Sequence, residues 1–113
     1  MKKLMTVMLV VVLTVLSGCE GSTEKVTVLT SSGYEPYEMV DTSGKLIGFD
    51  IELMELLAEE VGIEIEWKDV DFDGIIASLQ SGQAEIAIAG LSPTEERKDM
   101  VDFGDIYYNT ESG

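Results

Sequence analysis

The apolar residues change period repeatedly along the middle of the chain, and that change constrains the fold more than any other feature of the sequence. Over 25–30, Val26 and Val28 stand apart from Thr27 in a run of strong β formers, which predicts a strand. Ile51, Met54, Leu57, Ala58 and Val61 then recur at helical spacing, with Glu52, Glu55, Glu59 and Glu60 mainly on the other side. Asp50 is suited to cap that helix, because its carboxylate can accept a free first-turn N–H, and Gly62 is suited to close it. Ile63, Ile65 and Trp67 alternate with Glu64, Glu66 and Lys68, the period of a strand with one buried face. A second helix is predicted to open over 71–73, to carry Ile75, Ile76 and Leu79, and to close at Ser81 and Gly82. A strand over 85–89 completes the series. Strand, helix, strand, helix, strand favours an α/β fold with a parallel sheet and helices on its faces.

In such sheets ligands bind beyond the carboxyl ends of the strands. Those ends are the loops 31–36, 69–73 and 90–94, which are expected to converge on one crevice. Smaller extended pieces are predicted at 37–40 and at Leu46 and Ile47, around a turn at 41–45 that contains Ser43 and Gly44. A short polar helix follows over 94–100, with Thr94 as its best-placed cap, and then an extended stretch at 101–103. No clear terminator of a fold follows Gly104, so the chain is expected to stop within a domain.

The beginning of the chain has a different character. Lys2 and Lys3 precede a mostly apolar run over 4–16, broken only by Thr6 and Thr14, and Ser17 and Gly18 lead into Cys19. Charged residues, an apolar core and small residues, in that order, predict a targeting signal at 1–18. Its 13-position apolar run is shorter than the roughly 20 residues a membrane-spanning helix needs. Leu16, Ser17, Gly18 and Cys19 resemble the lipobox of bacterial lipoproteins, which implies lipid on the Cys19 sulfur and cleavage just ahead of it. Two acyl chains there would anchor the protein stably. Residues 19–24 are small and polar, as a tether from lipid to folded domain would be. The folded domain is then expected over 25–113.

All 22 acidic residues and five of the seven basic ones lie beyond Gly18, leaving that stretch with a net charge of −17. Such a charge argues against nucleic acid and against docking of the folded body on anionic lipid. The chain has no histidine, one cysteine and no carboxylate set at metal-loop spacing. A Ser, His and Asp triad is therefore unattainable, and no metal or cofactor is expected.

Five pieces in order resemble the family-3 solute-binding proteins of amino-acid ABC transporters. They are Tyr34-Glu35-Pro36-Tyr37-Glu38; Gly44-Lys45-Leu46-Ile47-Gly48-Phe49-Asp50; Phe72-Asp73-Gly74-Ile75-Ile76 with Leu79-Gln80-Ser81-Gly82; Ala89-Gly90-Leu91-Ser92-Pro93-Thr94-Glu95-Glu96-Arg97; and Val101-Asp102-Phe103 before Tyr107-Tyr108. The resemblance implies an α/β periplasmic-binding-protein-like (type II) clamshell, with mostly lobe one in this chain and truncation before lobe two. It further implies capture of an amino acid for an ABC permease, by a monomer anchored through its lipid on the extracytoplasmic side of the cell membrane, in the periplasm or on the outer face of the cytoplasmic membrane.

Arg97, the only arginine, matches the family residue that clamps the ligand carboxylate. A guanidinium suits that role because its planar fork of donors fits a carboxylate. Ser92 matches a residue that donates to the same carboxylate, and Gly90 a position whose carbonyl accepts the ligand ammonium. Tyr34 and Phe72 match two rings that sandwich the ligand side chain, whereas Tyr37, Phe49 and Trp67 read as plugs at the edge of a core. Some relatives that bind basic amino acids carry an acid where this chain has Ser31, although Glu35 is close. Without a second lobe the chain is expected to bind weakly or not at all. The alternatives are an enzyme on the same fold, such as a cyclohexadienyl-dehydratase-like lyase, or a sensory ligand-binding module. The lack of histidine weighs against the first and the lipobox against the second.

Overall fold

The computed structural model describes residues 25–110. The signal segment 1–18, the lipidation site Cys19 and the tether 19–24 lie outside the described residues, as do 111–113. Strand β1 (Val26–Thr30) lies between β4 (Ile65–Asp69) and β5 (Ile86–Ala87), and both pair with it in parallel. A separate antiparallel pair, β2 (Met39–Val40) and β3 (Leu46–Ile47), flanks the turn at 41–45. In that turn the Asp41 carboxylate accepts from the Ser43 hydroxyl and from the backbone N–H of Ser43 and Lys45, and these bonds hold it below the usual carboxylate range.

Parallel strands need crossovers, and the helices predicted between them supply these. Helix α1 (Phe49–Val61) joins the β1 side of the chain to β4, and a 3-10 turn (Phe72–Gly74) running into α2 (Ile75–Gln80) joins β4 to β5. Successive residues of a strand face opposite sides of the sheet, and β1 divides the core accordingly. Val28 packs with Met54, Ala58 and Ile88 on the α1 side, while Leu29 packs with Ile75, Ala84 and Ala89 on the α2 side. Trp67 joins the first of these clusters. The α/β reading thus holds, with helices on both faces of a parallel sheet.

Three local readings need correction. Asp50 does not cap α1: Gly48 occupies the cap position with φ of 129°, no side chain caps the helix, and Asp50 lies fully buried inside its first turn. Leu57 and Val61, assigned to the buried face, are 48% and 67% exposed; Ile51, Met54 and Ala58 are buried, and Leu53 packs against the core beside them. Residues 101–103 form no strand. Elsewhere the ends behave as predicted, with Gly62 closing α1 in the left-handed conformation and Thr94 Oγ1 accepting from Arg97 N at the start of α3 (Glu95–Lys98).

Candidate functional site

The order β4, β1, β5 places β1 at the point where the chain has gone first to one neighbour and then to the other. The crevice beyond the carboxyl ends is expected at such a point. The three loops do meet there, around a cavity of about 470 Å³ whose lining includes Tyr34, Phe72, Gly90, Ser92 and Arg97. A larger groove of about 960 Å³ runs along α1, β5 and the 101–110 segment. It shares Tyr34, Gly90 and Ser92 but not the arginine, so the chemistry favours the smaller cavity.

Each loop is fastened by a recognisable device. The first is tied to β4, where the Asp69 carboxylate accepts from Ser32 N at 2.8 Å and from the Ser32 hydroxyl at 2.5 Å. Within it the Tyr34 ring stacks on Tyr37 at 5.0 Å between centroids. Tyr37 and Phe49 belong to an aromatic cluster with Tyr107 and Tyr108 rather than to either core half. The second loop delivers Phe72 on the 3-10 turn, 38% exposed.

In the third loop Gly90 has φ of +59°, and a Cβ there would lie 2.9 Å from the Tyr34 ring. Glycine is required both by that conformation and by that approach. Its N–H donates to Asp50 Oδ2 at 2.7 Å, while Asp50 Oδ1 accepts from the Tyr107 hydroxyl at 2.9 Å. Burial, and then this bond to Asp50, raises the Tyr107 phenol above its ordinary range. Asp50 is therefore a positioning residue for the cavity wall. Its partners lie 40 and 57 residues away, so no local pattern announces the role.

Arg97 Nη1 donates to the Ser92 carbonyl at 3.0 Å, and its guanidinium carbon lies 5.4 Å from the Phe72 ring centroid, within cation–π range. That hydrogen bond uses one of five guanidinium donors. Among the described residues the one ion pair is Lys98 with Glu95, so Arg97 has no carboxylate partner there. The acid beside the cavity is Glu38, whereas Glu35 is exposed. No group of three or more potential metal ligands occurs among the described residues.

A model of bacterial extracellular solute-binding proteins, family 3, matches residues 26–113. The arginine-binding extracellular protein ArtP of Bacillus subtilis (strain 168) is 42% identical over 92 residues, covering 81% of this chain and 36% of that protein. An ancestral arginine-binding protein solved with arginine superposes with a TM-score of 0.73 at 46% identity, covering 74% of this chain and 37% of that one. The arginine-bound form of domain 1 from TmArgBP gives a TM-score of 0.75 at 37% identity, covering 79% of this chain and 71% of that one. The chain thus spans about a third of the length of the curated relatives it matches.

Proposed function

Because this chain belongs to the bacterial extracellular solute-binding proteins of family 3, we propose that it captures an amino acid outside the cytoplasmic membrane and delivers it to an ABC permease. The observation that carries the reading is Arg97: a half-buried guanidinium at the cavity wall, supported by Ser92 and Phe72 and lacking a carboxylate partner among the described residues. A ligand carboxylate supplies the missing anion. Each charge-assisted hydrogen bond to it is worth about 1.5–3 kcal/mol. Ser92 adds a donor to the same carboxylate, Gly90 offers its carbonyl to the ligand ammonium, and Tyr34 and Phe72 flank the ligand side chain.

Arginine is the first ligand to test, because relatives named for binding it match the chain in sequence and in fold. The role is binding, not catalysis, and the ATP that drives transport is spent by the permease. Cleavage after 1–18, lipid on Cys19 and a tether over 19–24 keep the monomer at the membrane. The decisive experiment is calorimetric titration of the complete protein with arginine. Arg97→Ala should weaken binding by at least a hundredfold, since it removes more than one charge-assisted bond; unchanged affinity refutes the clamp.

A further inference from the structure

The cavity has a second ionisable group that the carboxylate clamp does not use. Glu38, between the first loop and β2, is 1% exposed, and neither carboxylate oxygen has a hydrogen-bond partner among the described residues. Its backbone, by contrast, is fixed: its N–H donates to the Tyr34 carbonyl at 3.1 Å, and its carbonyl accepts from Gly33 N at 3.1 Å and Tyr34 N at 3.0 Å. The loop that carries Tyr34 therefore also holds Glu38 in place. Its Oε1 lies 3.8 Å from the point where a Cβ on Gly90 would stand, against the cavity wall.

Among the described residues no cation pairs with it. Asp50 reaches it from α1 with a carboxylate already shared between Gly90 and Tyr107. Tyr34 and Tyr37 lie on its own loop, Tyr107 comes from the 101–110 segment, and Arg97, on the third loop, lines the same cavity. A buried carboxylate without donors and beside another carboxylate is disfavoured in its charged form. Burial first, and then Asp50, pushes its carboxyl up to about 8.

We infer that Glu38 is the counter-charge for the positive group of a bound amino acid, protonated while the cavity is empty and deprotonated when an ammonium or guanidinium group arrives. The O–H bond of Glu38 breaks, its proton passes to the solvent buffer, and the ligand cation keeps its own protons. Direct contact is unnecessary, because an opposite charge within about 4–6 Å already favours the carboxylate. Linkage is reciprocal: the ligand lowers the Glu38 pKa, and raising pH strengthens binding until Glu38 is ionised in the empty cavity as well. The inference deepens the proposed function and rests on it, since it requires an amino acid in this cavity.

The test is calorimetric titration of the complete protein near pH 7 in two buffers of different ionisation enthalpy, with arginine and, separately, with glutamine. Release approaching one proton per ligand is expected, with arginine affinity rising up to about tenfold per pH unit below the Glu38 range. Release with both ligands supports the inference and identifies the α-ammonium as the partner; release with arginine alone supports it and identifies the guanidinium. Binding of both ligands without proton exchange overturns the inference and leaves the proposed function standing. Failure of both ligands to bind, with the protein folded, removes the inference and the proposed function together. Glu38→Gln should abolish the release, and persistence of the same release in that variant overturns the assignment. Should the variant not fold, the wild-type buffer comparison decides alone.

Discussion

Gly90 occupies the most demanding position in the cavity wall, with a left-handed backbone and the Tyr34 ring against the place where a side chain would begin. Gly90→Ala should cost about 1–2 kcal/mol for the backbone conformation alone. Displacement of the Tyr34 ring should add a loss of amino-acid affinity. Denaturant unfolding measures the first and calorimetry the second; a variant with unchanged stability would contradict the geometry. The sequence made Gly90, Arg97 and Ser92 legible because they fall in one motif of nine residues. Asp50 and Glu38 were legible only as a helix cap and as part of an extended piece. Both acquire their settings from distant chain: Asp50 from Gly90 and Tyr107, Glu38 from burial under the Tyr34 loop. A carboxylate just before an apolar helical stripe looks the same whether it bonds its own first turn or turns inward.

At the level of elements, α1 starts where it does because of Gly48. Its φ of 129° lies in a region essentially reserved for glycine, and a Cβ there would fall on the Tyr37 backbone, 2.7 Å from its carbonyl carbon. The same junction receives Phe49 N on the Pro36 carbonyl and Asp50 N on the Tyr37 carbonyl, each at 3.0 Å, so the first loop and the helix start are built as one piece. Gly48→Ala should destabilise the fold by about 1–3 kcal/mol from conformation alone, with the clash adding to it. Gly74→Ala, at φ of −90° with nothing within 4 Å of a Cβ, should change little. Comparing their thermal unfolding tests the contrast; equal losses would contradict it. The order of strands and helices was readable because each carries its own period. Lengths were less so: β5 covers Ile86–Ala87 where 85–89 reads as strand. Pairing, unlike periodicity, depends on what the neighbour β1 offers, and β1 pairs with β5 only through Val28 and Leu29.

For the molecule as a whole, stability should depend on pH through Glu38. Its carboxyl is raised from 4.5 to about 8 on folding, so the folded state holds a proton that the unfolded state has lost between those values. The stabilisation is complete below about 4.5 and disappears as pH rises through about 8. Asp41 acts in the opposite sense: its lowered carboxyl contributes above its ordinary value and loses that contribution in acid. The melting temperature should therefore be higher at pH 5 than at pH 8, with a slope of at most about 1.4 kcal/mol per pH unit from Glu38. Glu38→Gln should flatten that slope; a wild-type protein equally stable at both values would contradict the assignment. Val28 and Leu29 set a two-sided core, and among the bonds that tie the cavity loops to it the Asp50 carboxylate reaches furthest along the chain. Asp50 binds Gly90 with one oxygen and Tyr107 with the other. A displacement of the 101–110 segment can consequently reach the cavity wall by two routes, through Asp50 to the Gly90 backbone and through Tyr108 and Tyr37 to the Tyr34 ring, and a tightening of that wall is transmitted back along the same links.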